Sequence, residues 1–436
     1  MGYSRKAIIV VHGMGNQMPM STIREFAENV NVKGTRLYSS PDRIVGDLET
    51  RRLSFKDNNI DYYEFYWAHL MQEPTSLNVW KWTFKLLFLK TVSDRARKMV
   101  YTLRIIFFSI IFTLLSLLFI KLKNVTADQI NFEKTIIYGI MILAAYKLLV
   151  LFFRAVSSTT ILQSIGDVVK YTLPTPQNID VRNSIRNKGI EMLNKLHEAK
   201  DSDKDPKYNE IIVVGHSLGS IVAYDMLTFL FPKYHNINTY DEKISQEDVT
   251  KFAKDYYDKP IEEFDLNKYQ EDQIKISKSY RQFKMPWRVS NFITMGSPLT
   301  HAVMVMANSK HEFYKRKMIR EFPTCPPVPD INDDNKCFFN FTEDKYLRPH
   351  HAALFALTRW TNIYFSNDYI GGNLSSEFGI GIRDIELKSQ NGFVKKYLPF
   401  ASHTSYWGKK EIESIKNINN CFDNIPSENE ANNQNI

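Results

Sequence analysis

The sequence predicts an α/β protein, a mostly parallel sheet with helices on both faces, and three observations carry that prediction. Short apolar or β-branched runs at 7–11 and 211–214 read as strands buried on both faces, and 289–295 returns as another. Each run ends in a glycine-bearing loop: His12-Gly13-Met14-Gly15, Gly215-His216-Ser217-Leu218-Gly219 and Gly296-Ser297-Pro298-Leu299. Helical patterns intervene between the runs, the alternation from which a parallel sheet is built. With 436 residues the chain suffices for one large domain with insertions or for two domains.

The first strand leads through the loop at 12–17 into a helix from about Ser21. Stretches at 51–55 and 60–66 read as further strands. At 77–90 tryptophan and phenylalanine alternate with Lys81, Lys85 and Lys90, which reads either as an interfacial amphipathic helix or as an ordinary surface helix. Residues 105–120 hold no charge, and with 99–104 they reach the length of a span. A second run, 135–153, is broken only by Lys147, so 77–160 is expected to carry a two-helix transmembrane hairpin. Basic residues crowd the N-terminal flank at Lys90, Arg95, Arg97, Lys98 and Arg104, and Arg154 follows the second run. The positive-inside rule then places both termini in the cytoplasm, with two spans at 99–120 and 135–153.

Beyond the hairpin, apolar residues at 185, 192, 193 and 196 mark an amphipathic helix over 181–200. The strand at 211 follows, then a mostly apolar helix expected to stop at Pro232. The charged stretch 240–286 reads as a helical insertion, 361–365 as another strand, and the Asn- and Glu-rich tail 417–436 as disordered. The domain organisation is thus 1–76 and 161–416 as two parts of one α/β domain around 77–160.

Composition narrows the function classes. The net charge of +8 is diffuse and no phosphate-binding or RNA-binding signature accompanies it, so nucleic acid is not an expected partner; a membrane lipid bilayer is. Cys325, Cys337 and Cys421 are odd in number and scattered, which argues against a disulfide framework and a zinc site and fits a reducing compartment. No cleavable signal peptide is expected, since 7–11 is too short for its apolar region and runs into His-Gly, and Lys6 breaks the myristoylation pattern.

Gly215-His216-Ser217-Leu218-Gly219 carries the chemistry. A bare Gly-x-Ser-x-Gly arises by chance in on the order of one chain in ten of this length. Here a strand precedes it and a helix follows, the layout of a nucleophile elbow, in which a tight turn exposes the serine hydroxyl. Gly215 and Gly219 let the backbone approach closely around Ser217. A serine hydroxyl needs a base, and the base needs an orienting acid. His403, in the small-residue loop 401–407, is the candidate base, with His350, His351 and His301 as competitors. Asp368, just past the strand at 361–365, is the candidate acid; Asp384 is the rival and Asp344 a weaker one. Oxyanion donors are expected at the N–H groups of Leu218, following the nucleophile, and Met14, in the early loop whose Gly13 and Gly15 free its backbone. His12 is expected to order that loop.

The order Ser217, Asp368, His403 is that of the α/β-hydrolase superfamily. The His-Gly-Met-Gly loop, the elbow and Thr294-Met295-Gly296-Ser297-Pro298-Leu299 resemble those of its lipases and esterases, over 5–66 and 178–412. The GPI inositol-deacylase-like and triacylglycerol-lipase-like branches are the nearest, and the hairpin upstream of the nucleophile strand departs from the soluble lipase pattern. The resemblance implies an α/β-hydrolase fold and acyl transfer through a Ser-His-Asp triad and an acyl-enzyme, without cofactor or metal. The expected protein is a membrane-anchored lipase or phospholipase acting on a lipid or acyl-ester substrate. A thioesterase or small-ester esterase is the alternative within the class, and a non-catalytic membrane scaffold the alternative outside it.

Overall fold

The computed structural model describes residues 5–14, 17–31, 36–44, 49–56, 59–71, 175–201, 204–235, 261–282, 286–307, 309–329, 339–341, 347–389 and 402–423, with scattered positions within 101–116, 168–172 and 251–256. The chain divides into two compact units, Met1–Met71 with Pro174–Ile436, and Gln72–Leu173.

The first unit is an α/β structure around an eight-stranded sheet. Its strands are β1 (Lys6–Val11), β2 (Leu37–Ser40), β3 (Arg52–Phe55), β4 (Ile60–Phe65), β5 (Glu210–His216), β6 (Val289–Met295), β9 (Arg359–Phe365) and β10 (Arg383–Leu387). Their spatial order is β10-β9-β6-β5-β1-β4-β3-β2. The six from β10 to β4 run parallel, and β3 and β2 add an antiparallel edge. A separate antiparallel pair joins β7 (Phe339–Phe341) to β8 (Leu347–Pro349). β1 and β5 sit at the centre, and their alternating aliphatic side chains, such as Ile8, Ile9, Ile212 and Val213, are fully buried on both faces.

Among the described residues, six main helices follow in chain order: α1 (Ser21–Val30), α2 (Pro176–Glu198), α3 (Leu218–His235), α4 (Leu266–Gln282), α5 (Lys310–Met318) and α6 (Ile412–Asp423). One sheet face packs Ile8, Val10, Ile212, Val214 and Ile293 against Ile23 and Phe26 of α1 and Ile418 and Phe422 of α6. On the rest of the sheet α3 packs against β5 and β1, α2 against α3, and α4 against β9. Burying each large aliphatic or aromatic side chain contributes about 1.5–3 kcal/mol, so this layered arrangement is what holds the strand ends in register.

Several sequence expectations change. α3 does not stop at Pro232 but continues to His235. Tyr234 is buried in a ring cluster with His197 and Trp287 (centroids 4.8 and 6.0 Å), and His235 Nδ1–H donates to the carbonyl of Pro232 (2.9 Å), so packing sustains a last turn that proline propensity disfavours. The chain from 417 is not tail until after Asp423: Ile415, Ile418 and Phe422, spaced i, i+3 and i+7, are buried. The rest of the tail lies outside the described residues, as do the stretch 77–90 and Asp344. Among the described residues of the expected insertion lies α4.

The expectation of an integral membrane protein with two spans and cytoplasmic termini is corrected. Among the described residues no helix is long and apolar enough to cross a membrane. In the second unit the described helical positions lie within 101–116 and 168–172. More than half of 99–120 and all of 135–153 lie outside the described residues.

Candidate active site

Four parallel strands end at a common edge because their registers align: Val11 pairs with Gly215, His216 with Met295, and Met295 with Ile363. The loops that leave β1, β5, β6 and β9 therefore emerge side by side. A loop at the carboxyl ends of parallel strands is where an open α/β sheet gathers its functional groups.

Ser217 occupies the single residue between β5 and α3, with φ 53°. Left-handed backbone at a non-glycine residue is costly, and it persists here because the surroundings fix it. The Ser217 N–H donates to the carbonyl of Met295 (2.9 Å), and the Ser217 carbonyl accepts from the N–H (2.9 Å) and the hydroxyl (2.6 Å) of Ser220. Gly219 is required by close approach: a Cβ there would collide with the carbonyl oxygens of Val11 and His12. α3 thus starts in van der Waals contact with the end of β1.

Ser217, His403 and Asp368 form one hydrogen-bonded chain. The Ser217 hydroxyl donates to His403 Nε2 (2.8 Å), and His403 Nδ1–H donates to Asp368 Oδ2 (2.8 Å). All three are buried, with exposures of 2%, 6% and 1% in that order, so their electrostatics act with little water between them. Burial alone would raise the Asp368 pKa, yet the charge of His403 and hydrogen bonds from His403, Tyr406 and the Ile370 N–H hold it well below the usual carboxylate range.

Asp384 is elsewhere. Its carboxylate accepts from Asn362 Nδ2 (2.6 Å), the Leu374 N–H (3.0 Å) and the Ser375 N–H (2.9 Å), and burial pushes its pKa up. It organises the turn between β9 and β10. The other histidines are also placed apart from Ser217. His301 Nε2–H donates to the carbonyl of Tyr369 (3.0 Å), His350 bonds the Val328 carbonyl (3.2 Å) and the Ala352 N–H (3.2 Å), and His351 is exposed on the turn beside it.

The early loop lies against the nucleophile, since a Cβ on Gly13 would stand 2.9 Å from the Ser217 Cβ. His12 orders that loop. Its Nε2 accepts from the Trp67 N–H (3.1 Å), which leaves Nδ1–H to donate to the Gly13 carbonyl (2.7 Å), and its ring stacks on Trp67 at 5.1 Å. Burial lowers its pKa to about 4, so it stays neutral. Further along, Gln17 Nε2 donates to the Met14 carbonyl (3.4 Å), Tyr66 to the Gln17 carbonyl (2.9 Å), and the Met20 N–H to Glu64 (2.6 Å). Among the described residues neither the Met14 nor the Leu218 N–H donates to a protein acceptor. Leu218 is the first residue of α3, where the unbonded N–H groups of a helix favour negative charge. Gly15 lies outside the described residues.

Sequence reasoning passes over two neighbours of the chain of three. His216 Nε2–H donates to the His403 carbonyl (2.8 Å), and its ring lies 5.1 Å from that of His403 and 5.0 Å from Trp407. Burial and the adjacent His403 lower its pKa to about 3. Tyr406 donates its hydroxyl to Asp368 Oδ2 (2.6 Å). Both sit within three residues of an assigned group, a polar residue inside the elbow and a tyrosine beside the base, and that adjacency is the signal that could have found them.

In comparison with known proteins, the chain matches no family model, no curated protein and no solved structure.

Proposed function

We propose that the protein is a serine hydrolase of the α/β-hydrolase type that cleaves carboxylic esters through an acyl-enzyme. One observation carries the reading: Ser217, at a strained turn between strand and helix, shares hydrogen bonds with His403 and through it with the ionised Asp368. The sheet order supports the fold assignment, with the nucleophile strand β5 central among parallel strands and an antiparallel pair at one edge.

In this reading His403 Nε2 takes the proton from Ser217 Oγ as the oxygen attacks the ester carbonyl. Asp368 keeps the proton of the resting imidazole on Nδ1 and stabilises the imidazolium that forms. The N–H groups of Met14 and Leu218 meet the negative charge on the former carbonyl oxygen, and such a donor is worth on the order of 10²–10³ in rate. His403 returns its proton to the leaving alkoxide, then activates water to cleave the acyl-enzyme and release Ser217.

The test is labelling of the full chain by a fluorophosphonate together with hydrolysis of p-nitrophenyl esters. Wild-type protein is expected to label and turn over, and Ser217→Ala to do neither. Labelling that survives Ser217→Ala overturns the assignment, and a wild type that neither labels nor hydrolyses supports a scaffold role instead. An acyl series from acetate to palmitate, with matching thioesters, separates a lipid esterase from a small-ester esterase and a thioesterase.

A further inference from the structure

We propose that Tyr406 is a positioning residue for the acid of the triad, its hydroxyl locking the Asp368 carboxylate in the orientation that His403 requires. The inference rests on the serine-hydrolase reading and goes beyond its three reacting groups.

Three donors fix the carboxylate. Oδ2 accepts from both His403 Nδ1–H (2.8 Å) and the Tyr406 hydroxyl (2.6 Å), while Oδ1 accepts from the Ile370 N–H (2.9 Å). Without the tyrosine, one donor would remain on each oxygen, and rotation about the Cβ–carboxyl bond would be opposed only by those two. Burying a charge is unfavourable unless it is fully hydrogen-bonded, so the third donor also keeps the acid ionised at 1% exposure.

Tyr406 is itself immobilised. Its oxygen accepts from the Phe365 N–H (3.2 Å), its ring stacks on Phe365 at 4.5 Å, and the residue is fully buried. Gly296, with φ 54°, makes the space: a Cβ there would stand 2.7 Å from Tyr406 Cε2, 3.0 Å from Asp368 Oδ2 and 3.0 Å from His403 Cε1. Tyr406 and His403 belong to one short loop whose far side is tied by His216 to the His403 carbonyl. The loop therefore presents the base and the clamp on its acid as one piece. The titratable groups facing Asp368 are His403, Tyr406 and, behind His403, His216.

The experiment uses the full chain and p-nitrophenyl butyrate, with kcat and KM measured from pH 5 to 9, the fluorophosphonate labelling rate, and a thermal melt. Tyr406→Phe keeps the ring on Phe365 and removes only the hydroxyl. The expected result is a kcat lower by about 10- to 100-fold, the size of one hydrogen bond to a charged group, with KM unchanged. Labelling slows in proportion. The acid limb of kcat/KM moves to higher pH, because a carboxylate with one donor fewer presents more negative charge to the imidazole beside it and favours the protonated ring. A merely structural tyrosine would lower the melting temperature and leave kcat per folded enzyme and the pH profile where they were, and that result overturns the proposal. Should Tyr406→Phe fail to fold, 3-fluorotyrosine at 406 keeps the hydroxyl and makes it a stronger donor. It is expected to move the acid limb to lower pH, and an unmoved limb overturns the proposal. Wild-type labelling at Ser217 with an indifferent Tyr406→Phe refutes this inference alone; an unlabelled wild type refutes the reading beneath it.

Discussion

Two aspartates that the sequence leaves as rivals now have opposite predicted phenotypes. Asp368→Asn replaces an acceptor of the His403 Nδ1 proton with an amide that favours the wrong tautomer. The protein should still fold, less the stability that the depressed carboxylate contributes, while kcat of the folded fraction falls on the order of 10⁴-fold. Asp384→Asn disturbs a carboxylate that receives Asn362, Leu374 and Ser375. It should cost about 1–3 kcal/mol of stability in urea titration and leave kcat of the folded fraction within about twofold. If instead Asp384→Asn abolished turnover in a well-folded protein, the assignment of the acid would be wrong. The distinction could not be read from the chain alone, because it rests on pairing at a distance: Asp384 lies opposite Asn362 in the middle of β9, and only Asp368, just past its end, meets His403.

Elements were legible in proportion to how strongly burial shapes their composition. β1 and β5 announce themselves because a strand covered on both faces has room only for aliphatic residues, as at Ala7 to Val11 and Ile211 to Val214. β10 hides because Arg383-Asp-Ile-Glu-Leu is an edge strand whose charges outnumber its apolar residues, and β2, Leu-Tyr-Ser-Ser, is short and half-exposed. α6 was obscured by asparagines whose backbone is helical because three apolar neighbours find a core. The elbow was legible because its constraint is local. Gly219 illustrates this: the junction of β1, β5 and α3 tolerates no Cβ there, so Gly219→Ala should lower the melting temperature and the soluble yield far more than an alanine in an exposed helix, where it commonly stabilises. An unchanged melt would show that β1 and α3 can part without cost. What the sequence did not disclose is pairing at a distance, such as His216 with the His403 carbonyl.

For the whole molecule the consequential charges are the ones it suppresses. Burial lowers the pKa of His12 and His197 to about 4 and that of His216 to about 3, against an ordinary value of 6.5. A base depressed in the folded state contributes stability that is complete above pH 6.5 and is lost as pH falls toward its folded pKa. Glu64, pushed up by burial to about 7, has the opposite sign: it favours the fold below its unfolded pKa of 4.5 and loses that contribution as pH rises toward 7, and the raised Asp384 acts in the same direction. These three histidines outweigh the two carboxyl groups and leave net proton uptake on unfolding, to which His235 and His351, also lowered by burial, add. Stability should therefore fall between pH 6.5 and 4 with a slope on the order of 1–3 kcal/mol per pH unit, read from urea titrations at stepped pH. His12→Gln and His216→Gln should flatten that slope; a stability independent of pH across the window would contradict the buried, neutral histidines.

The candidate site is also distributed along the chain in a telling way. The loop at Gly13 is near its start, His403 near its end, and the two ends are clasped by Lys6 Nζ on the Phe422 carbonyl (2.5 Å), Asn29 on the Trp407 carbonyl (3.0 Å) and Asn419 on the Val30 carbonyl (3.0 Å). Every strand of the large sheet has been made once the ribosome passes Leu387, but the base has not. In the serine-hydrolase reading, a nascent chain therefore carries the nucleophile Ser217 before it carries the base. In that reading, the group that arms the nucleophile arrives next to the helix that fastens these two stretches together.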